Sequence, residues 1–358
     1  MFVAWRDLRF AKGRFALMGT VVILMTLLVG LVSGLTAGLA RGSTSAITGL
    51  RADHLVFSVP AQKVSFTDST VAEPLWQAWA RVPGVTSAQP LGVATAKASV
   101  AGHAAALSAL GVPPGSALAP DAHRIAPGQV VLSSGAAKAL DAHPGQDLTL
   151  SGHRLSVAAV AGDASFDHTP VVWTSLTDWE GLSPAPGTTG LHATVIALDT
   201  TSSANLVGAD QRFHTDTVTR SASVSAIGSY TAENGSLQLM RGLLFAISAL
   251  VIGAFFTVWT IQRSSDIAVL KALGATTRYL LRDAIGQALV LLALGTAIGA
   301  GLAAAAGALA AGTVPFVLDA STVALPALVM IALGALGAAL SVRRITSIDP
   351  LTALGSAR

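Results

Sequence analysis

The stretch Phe15–Ala40 reads FALMGTVVILMTLLVGLVSGLTAGLA and contains no charged side chain. A helix crosses a bilayer with about 20 apolar residues. This run reaches about 39 Å at 1.5 Å per residue, against a hydrocarbon core of about 30 Å. It is therefore expected to tilt or to continue outward as a stalk. Its basic start (Arg6, Arg9, Lys12, Arg14) also suits a secretion signal. The apolar run is too long for one, however, and no small-x-small site closes a short core. The reading is a retained transmembrane helix. Three more apolar blocks follow, at 236–262, 284–311 and 322–342.

The flanks of these blocks carry the orientation signal, because Lys and Arg concentrate in short cytoplasmic loops. The tail 1–14 is basic, as are the loop 263–283 (Arg263, Lys271, Arg278, Arg282) and the tail 343–358 (Arg343, Arg344, Arg358). The short loop 312–321 has only Asp319. Both termini and the 263–283 loop are thus expected in the cytoplasm, and 41–235 and 312–321 outside. The fold class read here is an α-helical membrane protein with four transmembrane helices. An α+β extracytoplasmic domain is inserted between helices 1 and 2, in the cell membrane.

Bulk composition agrees. Of 358 residues, 52% are hydrophobic and 11% charged, and the mean hydropathy is +0.63. Soluble domains average about 25% charged residues. The net charge is +3, but the positives flank apolar blocks rather than forming one patch, which argues against nucleic acid as a partner. The chain has no cysteine, so disulfides, thiolate metal sites and cysteine nucleophiles are excluded.

Segment 41–235 reads as a folded domain. Strands are expected at His54–Val59, Gln129–Leu132, Leu148–Val160, Pro170–Trp173 and Ala193–Leu198, and helices at Val71–Arg81, Ser133–Leu140 and Thr174–Gly181. Pro-Gly pairs at 83–84, 127–128 and 144–145 mark turns. Trp76 and Trp79, three apart on an expected helix, read as core or domain contact. All eight histidines lie here, none at helix spacing from another, so they read as surface or turn residues rather than ligands. No Gly-x-Ser-x-Gly elbow supports a hydrolase.

No Gly-Lys dipeptide occurs, so a phosphate-cradling P-loop is absent. The chain is not expected to be an enzyme, and any ATP-driven work needs a motor on another chain. The loop Arg263–Thr276 places Ile267, Leu270 and Leu273 at helical spacing among charges. On physical grounds this suits equally a headgroup-level surface helix or a short helix docking into a partner's groove.

The pattern RSSDIAVLKALGAT at 263–276 resembles the signature of the MacB/FtsX family of ABC permeases. The terminal RRITSIDPLTAL at 343–354 resembles that family's R-x-x-x-x-D-P-x-x-A-L, and Ala4–Leu8 its amphipathic start. The stretches Pro127–Ser133, Ala137–Leu140 and Gly145–Leu150 look like its extracytoplasmic fold. The resemblance implies a homodimer bound to two copies of an ABC ATPase subunit. ATP-driven motion would pass to the outer domains by mechanotransmission, with cargo taken from the outer leaflet. Asp266, Leu270, Lys271 and Leu273 would couple to the ATPase.

Within the family, the run from Ser229 to Met240 looks most like the haem-exporter permeases of Gram-positive bacteria. The resemblance implies haem as cargo, with no intrinsic cofactor. Haem iron accepts His, Met, Tyr or carboxylate ligands. The candidates are Glu233, Tyr230, Met240 and Met25, with Arg241 for a propionate. Glu233 reads equally as a first-turn helix acid held by the helix dipole. Met18 and Met25, seven apart on one helix face, read first as packing residues. The alternatives are another amphipathic cargo (antimicrobial peptide, macrolide, lipoprotein), or a relay to an extracytoplasmic partner such as a cell-wall hydrolase. A haem site predicts convergent polar ligands at the outer boundary; a relay predicts an exposed apolar patch on the domain. Lastly, Gly30, Gly34 and Gly38 form a tandem small-residue motif, equally suited to dimer contact and to packing within one chain.

Overall fold

The computed structural model describes residues 12–58, 63–185, 190–262, 269, 274, 276–310 and 314–346. It divides into two compact units, Leu39–Gly235 and the remainder, Met1–Gly38 with Ser236–Arg358. The helix α1 (Lys12–Thr48) begins in the second unit and ends in the first. Its length, about 55 Å at 1.5 Å per residue, exceeds any bilayer core, in line with the expected stalk.

The inserted domain is built on strands β1 (His54–Ser58), β2 (Val71–Ala72), β3 (Val85–Val100), β4 (His103–Val112), β5 (Gln129–Leu132), β6 (Asp147–Leu150), β7 (His153–Val160), β8 (Ser165–Phe166), β9 (Thr169–Ser175), β10 (His192–Ala193), β11 (Val195–Thr200) and β12 (Thr215–Thr219). The main sheet runs β12-β1-β11-β3-β4-β9-β5-β7-β6. An additional β3–β6 pairing closes the last six strands into a circuit, which removes exposed edges there. Four short helices, α2 (Glu73–Trp79), α3 (Ser134–Leu140), α4 (Leu176–Leu182) and α5 (Leu206–Phe213), complete the domain.

Period-two alternation sorts the strand side chains onto two cores. Val56, Leu107, Ala109, Val130, Leu132, Val172, Ile196 and Leu198 join Trp76, Trp79 and Trp179 in one. Leu55, Phe57, Leu110, Val131, Val171, Trp173, Val195 and Ala197 join Ile47 and Leu50 of α1 in the other. Trp76 and Trp79 are core residues, as expected.

Several expectations need correction: Ala193–Leu198 divides between β10 and β11, which lie in different sheets, and Val71–Arg81 opens with β2 before α2. The single strand at Leu148–Val160 is two strands, β6 and β7, reversed at Ser151-Gly152, both with positive φ. The long β3–β4 hairpin was not foreseen at all. Its Ala-rich strands have low β-propensity, and its place is set by packing. Gly92 and Gly111 are cross-strand partners, and the Trp179 ring occupies the space where either Cβ would stand.

The membrane unit contains most of α1 with α6 (Gly228–Gln262), α7 (Thr277–Ala310) and α8 (Ala320–Thr346). Among the described residues, four helical spans are long and apolar enough to cross a membrane, within α1, α6, α7 and α8. Met18, Val22, Val29, Ile252, Phe256, Trp259, Leu292 and Met330 form the core between them. The glycine stripe of α1 is used inside the chain rather than left for a partner. A Cβ at Gly30 would crowd Ala303, one at Gly34 would enter the Phe316 ring, and one at Gly38 would meet the Pro315 carbonyl. Gly307 of α7 faces the same Phe316 ring, and the Val317 N–H donates to the Gly34 carbonyl at 3.1 Å.

Candidate functional site

The β8–β9 hairpin turns on Asp167 and His168, both left-handed at φ 51° and 61°. Positive φ at both central positions suits the strand twist of a tight hairpin and favours Asn, Asp or Gly, so Asp167 fits its place. An ordinary residue in that region costs about 1–2 kcal/mol. Two features hold the turn in place. Phe166, just before it, is buried and packs edge-on to Phe66 at 5.4 Å. The N–H groups of Asp167 and His168 donate to the carbonyls of Ser43 and Gly42 on α1, at 3.0 and 3.2 Å.

Two side chains from the start of α6 meet this turn. Ser229 donates its hydroxyl to Asp167. His168 Nε2 lies 2.8 Å from Glu233 Oε2 and 2.8 Å from Ser43 Oγ. Three chain segments, far apart in sequence, thus converge at one point of the inserted domain. His168 and Glu233 are 34% and 45% exposed, so the pair is open to a ligand. An exposed pair of this kind contributes about 0.2–1 kcal/mol at most. It is too weak to be what holds the domain together.

The helix-dipole reading of Glu233 does not survive. α6 begins at Gly228, earlier than the apolar block suggested, and has no acid in its first turn. Dipole stabilisation fades beyond that turn. Tyr230 packs against the core containing Ile227 and Phe66. Met25, Met240 and Arg241 belong to the membrane unit. There Met25 accepts from the Ser248 hydroxyl at 3.7 Å, and Met240 is half exposed. Of the sequence candidates, the structure therefore gives only Glu233 a polar constellation, and it adds His168 and Ser43. Those two carry no spacing signal, since His168 is 65 residues from Glu233. Asp266, Leu270, Lys271 and Leu273 lie outside the described residues. Among the described residues, no group of three or more His, Cys, Asp or Glu side chains is placed to hold a metal ion. In the inserted domain, the exposed large hydrophobic side chains among the described residues are Val160 and Val207, which form no patch.

Two family models match this chain. Residues 15–214, more than half of it, match the MacB-like periplasmic core domain, and residues 239–350 match the FtsX-like permease C-terminal region. The chain belongs to the MacB/FtsX family of ABC transporter permeases. With four apolar helical spans among its described residues, the chain is a multi-pass membrane protein.

Among similar proteins is the hemin transport system permease protein HrtB of Staphylococcus epidermidis, 34% identical over 139 residues. That match covers 39% of this chain and only 40% of the relative. HrtB of Staphylococcus haemolyticus is 28% identical over 217 residues, 60% of each chain. An uncharacterized ABC transporter permease of Mycobacterium tuberculosis is 26% identical over 371 residues, 99% of each chain. Among solved structures, the extracellular domain of the noncanonic ABC-type transporter YknZ covers 47% of this chain at 13% identity, with a TM-score of 0.35.

Proposed function

We propose that this permease exports haem from the membrane, driven by a separate ATPase, and that Glu233 is the residue that holds the iron. The observation that carries this reading is the open Glu233 carboxylate at the outer end of the second membrane helix, met by His168 and Ser43. A carboxylate is a competent axial ligand for haem iron. The staphylococcal HrtB relatives lend support through their names. In the proposed machine the permease is a homodimer with two ATPase subunits, both termini lie in the cytoplasm, and Asp266, Leu270, Lys271 and Leu273 contact the motor. Tyr230, Met240, Arg241 and Met25 are the further cargo contacts that the resemblance implies.

The test is a haemin titration of the purified permease–ATPase complex by visible absorption, with Glu233→Ala in parallel. A saturable shift near one haem per dimer, weakened by the substitution, is the expected result. Binding that ignores the substitution moves the ligand elsewhere. The absence of a saturable shift removes haem and leaves another amphipathic cargo as the leading reading. A relay to a cell-wall hydrolase is the weaker alternative, because the described residues of the domain offer no exposed apolar docking patch.

A further inference from the structure

We infer that His168 is a positioning residue of the cargo site: its imidazole holds one oxygen of the Glu233 carboxylate and leaves the other free as the donor to iron. The inference rests on the haem reading above. It starts from the 2.8 Å contact between His168 Nε2 and Glu233 Oε2. An ionised carboxylate only accepts hydrogen bonds, so Nε2 carries the proton and donates.

Two axial ligands of one haem stand on opposite faces, about 4 Å apart with metal–ligand bonds of about 2 Å. His168 and Glu233 lie side by side instead, so one of them binds the iron and the other supports it. Glu233 is the freer of the two. Ser43 Oγ lies 2.8 Å from His168 Nε2 and 3.5 Å from Nδ1, placed to share the Nε2 proton or to donate to Nδ1, whereas Glu233 Oε1 remains to bind.

The turn itself does not need this side chain. Its backbone is pinned to Gly42 and Ser43 through main-chain N–H groups, and its positive φ favours glycine. Carboxylates that bind metals are commonly hydrogen-bonded in turn, and removing such a support costs about 10–100-fold in affinity.

The experiment is a haemin titration of the intact permease–ATPase complex carrying His168→Ala, His168→Gln or Glu233→Ala, beside wild type, with the full visible spectrum recorded. The expected result is about a tenfold weakening for His168→Ala, with shifted ligand-field bands. His168→Gln, whose amide restores a donor, should recover most of the affinity and the wild-type spectrum. A thermal midpoint for each variant separates misfolding from loss of the contact. If His168→Ala binds with wild-type affinity and spectrum while Glu233→Ala is weakened, Glu233 keeps its role and the inference about His168 falls. If His168→Ala loses the spectrum and Gln does not restore it, His168 is itself the iron ligand, which overturns the positioning role. No saturable binding by wild type removes the haem reading, and this inference with it.

Discussion

Asp199 shows how a single carboxyl is tuned by its surroundings. It lies on β11 beside a polar cleft lined by Arg51, Asp53, Thr219 and Arg220. Partial burial, and then the charge of Asp53, raise its pKa above the ordinary 3.8. The folded state therefore binds this proton more tightly than the unfolded chain does. Its stabilising contribution is present below pH 3.8 and lost as pH rises through the raised value. Asp199→Asn should raise the thermal midpoint slightly at pH 7 and lose that advantage near pH 3.5, read by melts across that range. The gain should be small, because solvent and salt screen the group. A lower midpoint at pH 7 would contradict the account. Glu233 was legible in the sequence as a candidate through the resemblance of its segment to the haem-exporter permeases and the ligand chemistry of a carboxylate. Its partner His168 reads from the sequence as a surface or turn residue, and it is one; the contact with Glu233 has no signal along the chain.

Among the elements, the glycines of α1 illustrate the same gap. The Gly30, Gly34, Gly38 spacing was legible, but not which surface would fill it. Ala303 at Gly30 and the Pro315-Phe316 segment at Gly34 and Gly38 do, from the same chain. Gly34→Leu must displace the Phe316 ring, and overpacking of this kind costs about 1–3 kcal/mol. A lower unfolding midpoint in detergent is expected, partly relieved by adding Phe316→Ala, since contacting sites couple. An unchanged midpoint with a lost dimer band on native gels would return the stripe to the dimer interface. The β3–β4 hairpin escaped the sequence reading for a related reason. Alanine and glycine carry little strand signal of their own, and Gly92 and Gly111 are explained only by the Trp179 ring above them.

On the scale of the whole molecule, the inserted domain has the features of a self-sufficient unit. It has two cores of its own, a closed strand circuit and, among its described residues, no exposed apolar patch. Residues 41–235 expressed alone should be soluble and unfold in one cooperative transition, followed by circular dichroism. Aggregation, or loss of the near-ultraviolet signal with the far-ultraviolet one retained, would mean that the domain depends on the membrane helices.

The sequence by itself determined the four spans, the insertion between the first two and the family, because hydropathy, loop charge and short motifs are read from neighbouring residues. Only the tertiary structure decided that Glu233 meets His168 and that Phe316 packs against Gly34 of α1. Those contacts join residues far apart in the chain, and their geometry exists only once sheet, hairpin and helices have packed.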